Sequence, residues 1–361
     1  MSVRGKASGM MYAPKGKTHP VCERGEFPVG VVGLDHGHIY GMCNGLHEAG
    51  AEIALVYDPD PKKVEQFRKA FPEARTARSE AEVLHDRDIR LVAAAPIPAQ
   101  RADLGCRVLD HDKDYFADKP PVTTRSDLER VRRMTTETGR LFAVYYSERI
   151  HVEASVLAER LIHEGAIGRV VQVINIAPHR ISLHQRPAWF FEKHQYGGIL
   201  VDLGSHQIEQ FLYYAKAGSA SVVSSRVGNY KFKEYPGFED FGDATLSGEN
   251  GAVSYMRVDW LNPDGLAAWG DGRLFVLGTE GYIEVRKYVD VARDTEGDHV
   301  FLVDHKGEHY YSAAGQEGFP FFGRLIRDCL DGTRTAYSQD TAFKAIELAI
   351  DAQEKAVTVE R

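Results

Sequence analysis

The chain has 361 residues, of which 43% are hydrophobic and 27% charged. That is enough apolar material for two packed domains and too much for a disordered chain. A formal net charge of -8 leaves no basic excess for a phosphate backbone, which excludes nucleic acid as the expected partner.

Residues 1–26 are rich in Gly, Lys and Pro and lack periodicity, so they read as an N-terminal arm, loose or packed on a neighbour. No continuous apolar segment marks a secretory signal there. Leu91 to Ala99, the longest mostly apolar stretch, is too short to span a bilayer, so no membrane partner is expected. Cys22, Cys43, Cys106 and Cys329 are scattered, without a C-x-x-C pair. They suggest a reducing compartment, no disulfide scaffold and no metal site, and the expected location is the cytoplasm.

From Phe27 strands alternate with helices. PVGVVGL, EIALVYD, IRLVAAA, DKDYFAD and LFAVYYS read as strands. His38 to Ala49, KKVEQFRKAF, AQRADLGCRVLDHD and SDLERVRRMTTETG read as helices, the last opened by a Ser cap and closed by Gly139. This alternation predicts a doubly wound parallel sheet of Rossmann type over residues 27–149. After Arg149 the rhythm changes. HVEASVLAERLIHEG is a helix, GRVVQVINIAP a strand, and Leu200 to Ala215 is predicted as one helix. The β-type runs ASVVSSRVG, DATLSGE, AVSYMRVDWL, GRLFVLGTE, GYIEVRKYVD and HVFLVDH follow, before a final helix TAFKAIELAIDAQEKA. Residues 150–361 are therefore expected to form an α+β domain with a largely antiparallel open sheet. The whole is an α/β architecture.

The first strand runs into Gly33-Leu34-Asp35-His36-Gly37-His38. A dinucleotide fingerprint wants G-x-G-x-x-G, and Gly33 alone fills its slot; Asp35 and His38 replace the other two glycines. Asp58 ends the next strand twenty positions after His38, where a carboxylate accepts from ribose hydroxyls and repels a 2′-phosphate. NAD is thus the expected cofactor. The alternative for Asp58 is a cap on the turn Asp58-Pro59-Asp60-Pro61. His36 and His38 are candidate phosphate donors, or His38 caps the helix.

Two further motifs resemble the Gfo/Idh/MocA oxidoreductases. Ala117-Asp118-Lys119-Pro120 resembles that family's E-K-P signature, with Asp118 where Glu is usual. Gly197-Gly198-Ile199-Leu200-Val201-Asp202-Leu203-Gly204-Ser205-His206 resembles its G-G-x-x-x-D-x-G-x-H segment. The resemblance implies a hydride transfer between nicotinamide and a sugar-like substrate, with Lys119, Asp202 and His206 catalytic. It also implies that Pro96 lies near the cofactor. The residues themselves support the assignment. On a helix from Leu200, the residues Leu200, Gly204, Ile208, Phe211 and Ala215 make an apolar face. Asp202, His206, Glu209 and Tyr213 share the other side. A carboxylate beside an imidazole fixes its tautomer and favours its protonated form; the alternative is an ordinary polar face. Lys119 follows a strand at the sheet edge where α/β folds bind ligands.

Tyr146, Arg149, His179, Arg180 and Trp189 are candidate substrate contacts, because Trp faces suit pyranose rings and Arg suits oxygens. Core packing and surface charge are the alternative. Trp269-Gly270-Asp271-Gly272-Arg273 reads as a structural turn. The expected function is NAD-dependent oxidation of a sugar, polyol or glycoside, with the 3-position of a ring as the preferred carbon. Two rivals are an NAD-retaining, redox-neutral glycosidase, which would release aglycone without net NADH, and a non-catalytic NAD sensor. Family members pair through the open sheet, so a homo-oligomer is expected.

Overall fold

Short runs of Val, Ala and Tyr build the first sheet. The structure, a computed structural model, describes residues 8–336 and 338–359. In chain order the first elements are β1 (Pro28–Val32), α1 (His38–Glu48), β2 (Glu52–Tyr57), α2 (Pro61–Ala70), β3 (Arg75–Thr76) and α3 (Glu80–His85). They are followed by β4 (Leu91–Ala94), α4 (Arg101–Asp110), β5 (Asp114–Asp118), α5 (Arg125–Thr138) and β6 (Phe142–Tyr145). Every residue of β4, β5 and β6 is buried, as parallel strands with both faces covered must be. The strand order is β3-β2-β1-β4-β5-β6, all parallel, so the order reverses between β1 and β4. Ligands of open α/β sheets bind at such a reversal.

Local chemistry starts and stops the helices. Asp60 caps α2 by accepting from the Lys62 amide, and Ser79 caps α3 by accepting from the Glu82 amide. The cap of α5 is Thr124, which accepts from the Asp127 amide, and not the expected Ser126. Gly139 ends α5 with φ 68°, as its left-handed stop requires. β3 has only two residues, both exposed, so it leaves no apolar pattern in the sequence.

The next elements are α6 (Ser147–Ile150), α7 (Glu153–His163), β7 (Val170–Pro178) and α8 (Lys193–Tyr196). A π-helical turn, Leu200–Gly204, then leads into α9 (Ser205–Ala215). The expected single α-helix over this span is thus two pieces of different pitch. β8 (Ala220–Gly228), β9 (Phe241–Gly248), β10 (Val253–Asp259), β11 (Arg273–Gly278), β12 (Gly281–Arg286), β13 (His299–Asp304) and β14 (Gly307–Ser312) follow. The chain ends with α10 (Pro320–Asp331), α11 (Gln339–Lys355) and β15 (Val357–Val359). The second sheet has nine strands in the order β14-β13-β12-β11-β7-β10-β9-β8-β15. Only β7/β10 and β15/β8 pair in parallel. α7 and α9 pack on one face. Leu277, Tyr282 and Tyr310 are exposed.

The chain divides into two compact units. One holds Met10–Tyr145 with Phe319–Phe343; the other holds Tyr146–Gly318 with the chain from Lys344 onward. This departs from the expected boundaries at 26 and 149. Residues 10–26 pack on the first unit: the His19 and Val21 amides donate to the Glu48 and Ala49 carbonyls, and the Gly16 amide donates to the Glu48 carboxylate. Residues 1–7 of the expected arm lie outside the described residues. α10 joins the first unit because Phe321 and Phe322 pack against Phe116 of β5, and Phe322 fills the space beside Gly45 of α1.

Candidate active site

Each unit carries its own set of candidate residues. In the first unit, β1 turns at Gly33 with φ 79°, and a Cβ there would lie 2.9 Å from Cβ of Pro96 at the end of β4. A side chain would therefore push β1 and β4 apart where the strand order reverses. The Ala95 amide donates to the Gly33 carbonyl, and the His36 amide to the Ala95 carbonyl. Among the described residues, the amides of Asp35 and Gly37 donate to no protein acceptor. Gly37 also caps α1 without any side-chain bond. Two unclaimed amides at a helix N-terminus are what a pyrophosphate needs, but Met10 and Met11 lie over Gly37, where a Cβ would meet the Met10 carbonyl at 2.5 Å, so the Asp35 amide is the more open of the two.

Asp58 is turned inward. Its Oδ2 accepts from the Leu34 amide at 2.7 Å and its Oδ1 from the Asp60 amide at 2.9 Å, and its side chain is 1% exposed. It holds the fingerprint loop to the end of β2, and the turn-cap alternative describes its bonds. The more accessible carboxylate at this mouth is Asp35, paired with Lys63 at 2.6 Å.

His36 and His38 point at Asp118 rather than outward as phosphate donors. Nδ1 of His38 lies 2.9 Å from Asp118 Oδ1, and Nδ1 of His36 lies 3.2 Å from Oδ2. Arg101, absent from the sequence reading, completes the cluster. Its Nη2 donates to Asp118 Oδ2 at 2.9 Å, its Nε to the Pro96 carbonyl at 2.9 Å, and its Nη1 to the carbonyls of Lys119 and Pro120. The Lys119 amide donates to Asp118 Oδ1 at 2.8 Å. Burial opposes ionisation of Asp118, but the charge of Arg101 and the two imidazoles outweigh it and hold the carboxyl well below its ordinary range. Burial, with His38 adding to it, pushes the His36 imidazole well below its ordinary value. These three ligand atoms lie close enough together to face a metal ion. The guanidinium already beside the carboxylate would repel one. The network instead locks the backbone on both sides of the Lys119 side chain.

In the second unit His206 sits on α9, 2% exposed, with its ring edge against Tyr146 at 5.9 Å. His179 is 7% exposed and lies against Trp260 and Trp269. Its Nδ1 is 3.0 Å from the Ala177 carbonyl. Glu148, which the sequence did not single out, serves both histidines. Its Oε1 accepts from Gln207 at 3.1 Å and lies 4.0 Å from His179 Nε2, and its Oε2 accepts from Lys287 at 2.8 Å. Burial would raise its pKa, but Lys287, then His206 and His179, overcome that and hold it well below the usual carboxylate range. Gln210 ties the group together by accepting from Lys287 at 2.8 Å.

Three expected substrate contacts are committed elsewhere. Arg149 bonds Glu209 at 2.6 Å and Glu159 at 3.1 Å and stacks on Tyr213. Glu209 and Tyr213 therefore belong to a buried ion-pair network and not to a face shared with Asp202 and His206. Arg180 donates to the carbonyls of Leu266 and Ala268, holding the loop before β11. Trp189 is buried in an aromatic cluster with Phe190. The turn at Trp269 is structural: Arg273 pairs with Asp271, and a Cβ on Gly270 would lie 2.8 Å from the Pro178 carbonyl. Asp202 lies in the π turn, 8% exposed, and its charge reaches Arg186.

Residues 27–146 match the oxidoreductase family with an NAD-binding Rossmann fold, and residues 156–284 match the GFO/IDH/MocA C-terminal domain. The chain belongs to the Gfo/Idh/MocA oxidoreductase family. A putative oxidoreductase from Erwinia carotovora atroseptica, solved as a crystal structure, is 49% identical, with a TM-score of 0.90, covering 92% of this chain and all of that one. The scyllo-inositol 2-dehydrogenase (NAD(+)) of Bacillus subtilis is 25% identical over 72% of each chain. The inositol 2-dehydrogenase/D-chiro-inositol 3-dehydrogenase of Lacticaseibacillus casei is 24% identical over 72% of each. The first unit is thus an NAD(P)-binding Rossmann domain. Among the described residues no helix is long and apolar enough to cross a membrane.

Proposed function

We propose that this protein is an NAD-dependent dehydrogenase acting on a secondary alcohol carbon of a sugar, polyol or glycoside. The observation that carries the reading is the D-K-P turn. Arg101, Asp118 and the two histidines spend several buried bonds on fixing the backbone of one lysine at the end of β5. Such rigid support is what a proton-transferring group needs. Bound NAD supplies the hydride acceptor, held by the amides of Asp35 and Gly37. Lys119 takes the hydroxyl proton, or returns it in the reverse direction. In the second unit His206 is the candidate for acid–base duty with Asp202 as its carboxylate, and His179 and Tyr146 are candidate sugar contacts.

NAD is favoured over NADP because Asp35, Asp58 and Asp60 lie around Lys63 at the end of β2, where carboxylates oppose a 2′-phosphate, with Arg68 and Arg78 as the opposing charges of the cleft beside Asp58. The enzyme works as a homo-oligomer built through the open face of the nine-stranded sheet, where Leu277 and Tyr282 are each 45% exposed. Light scattering checks this: a monomer, or an oligomer unmoved by Leu277→Lys with Tyr282→Lys, contradicts it.

The deciding experiment is NADH formation with a panel of sugars and polyols, for the wild type and for Lys119→Ala and His206→Ala. Each variant is expected to lose about 100- to 10,000-fold in kcat/KM. Undiminished turnover in both removes the proposed roles. NAD bound tightly without hydride transfer to any carbohydrate supports a sensor, and aglycone release without net NADH supports the redox-neutral glycosidase.

A further inference from the structure

Arg186 lies between β7 and α8, four residues before the aromatic pair Phe190-Phe191. Its Nε donates to the Ile181 carbonyl at 2.7 Å, which fixes the plane of the guanidinium. That plane lies over two rings, 4.3 Å from the centre of Phe190 and 4.7 Å from that of Trp260. Its Nη2 is shielded from solvent and has no hydrogen-bond partner. Arg186 is half-buried, and among the described residues no carboxylate comes within 4.0 Å of it, whereas the buried Arg149 and Arg180 of this unit each have one that close. Burial pulls its pKa down to about 10, with the charge of Asp202 pulling the other way. Shielding part of a guanidinium from water without a counter-ion costs free energy. Phe and Trp rings recover part of that cost, yet leave the polar edge of the fork unmet. The Trp260 ring that Arg186 covers also lies against His179, 5.3 Å between ring centres, so the guanidinium is one ring away from a candidate substrate contact.

We propose that Arg186 is an anion receptor and that the substrate is a polyhydroxy carboxylate, a sugar acid rather than a neutral sugar. This rests on the dehydrogenase reading and narrows its substrate class. A guanidinium whose Nη2 lacks a partner can donate a charge-assisted bond to a carboxylate oxygen. The aromatic walls keep water from competing for it. Asp202, close by but short of a salt bridge, stabilises the cation in the empty protein and selects against a second negative group beyond the first.

The test compares matched pairs: glucose with gluconate and glucuronate, and galactose with galacturonate, with glucose 6-phosphate as a phosphate arm. Two readouts are taken on the full chain with NAD. One is kcat/KM from NADH formation; the other is the thermal shift each compound gives. The wild type should favour at least one acid over its neutral partner by about 10- to 150-fold, the range of a charge-assisted hydrogen bond, and should be stabilised by that acid. Arg186→Met should lose both preference and stabilisation, and Arg186→Lys should recover only part. Because no carboxylate pairs with the arginine and Met keeps an apolar stem over Phe190 and Trp260, Arg186→Met should still melt cooperatively without ligand, which separates lost binding from lost folding. If neutral sugars are oxidised while no acid binds or reacts better, the receptor is overturned and the dehydrogenase stands. If acids stabilise the protein through Arg186 but none reduces NAD, the receptor stands and the dehydrogenase fails. Stronger stabilisation by the phosphate than by every acid overturns the carboxylate assignment.

Discussion

Arg101 Nη2 donates to Asp118 Oδ2 at 2.9 Å, and neither side chain has any exposed surface. One residue opens α4 and the other ends β5, so the pair joins the two segments that frame Lys119. Removing the cation leaves a buried carboxylate with only imidazoles beside it. Arg101→Met should therefore cost about 3–5 kcal/mol in urea unfolding. Arg101→Lys keeps a charge but cannot reach Pro96, Lys119 and Asp118 together, so it should keep most of the stability and lose turnover. A Lys variant as active as the wild type would remove the positioning role.

Acid should destabilise the first unit in two stages. His36 has a folded pKa below its ordinary 6.5, so the unfolded chain takes up a proton first and stability falls as pH drops below about 6.5. Asp118 is depressed from 3.8, so its contribution is intact above that value and is lost as pH falls towards the lower folded value; Glu148, depressed from 4.5, gives the second unit an acid stage of the same sign. Denaturant midpoints between pH 8 and about pH 3 follow this course. His36→Gln should flatten the upper stage alone, and an unchanged upper stage in that variant contradicts the assignment.

Glu148 acts on the reaction through His179 and His206. Glu148→Gln keeps the shape but removes the negative charge beside both imidazoles and strands the buried Lys287. Its kcat/KM should fall about 10- to 100-fold, with the acidic limb of the pH profile displaced downwards because the protonated imidazoles lose their partner. Adding Lys287→Met should restore part of the stability without restoring that limb. Recovery of both together would reduce Glu148 to a structural role.

Cofactor choice turns on the Asp35–Lys63 pair. Asp35→Ser frees an ammonium that Asp58, at 3.9 Å, and the more distant charge of Asp60 then face. The KM for NADP should fall about tenfold, a gain typical of one charge-assisted contact, while that for NAD changes little. Steady-state kinetics with both coenzymes measures it; a ratio that does not move denies Lys63 this role.

Close packing in the first unit can be probed at Gly45. A Cβ there would lie 2.3 Å from the Phe322 ring. Gly45→Ala should destabilise by about 1–3 kcal/mol, in spite of alanine's better helix propensity, because overpacking outweighs it. A stabilised variant would mean that α10 can move aside at no cost.

The residues that sequence alone determined are those whose pattern is local. Val, Ile and Tyr runs separated by helical periods dictated a parallel sheet, and Gly33, Lys119 and the Asp202/His206 spacing marked strand ends and a helix start without any knowledge of neighbours. The coordinates decided which polar groups spend their bonds on the protein. Arg149 and Arg180 looked available in the sequence, yet Glu209 and a row of carbonyls claim them. Arg101, Glu148 and Arg186 looked ordinary, yet one locks the lysine turn, one sets the field at two histidines and one is left without a counter-ion. The reason is physical: periodicity follows from the geometry of a single segment, whereas the partner of a buried charge comes from residues far along the chain, 139 positions for Lys287 and Glu148 and 165 for Gly318 and Glu153.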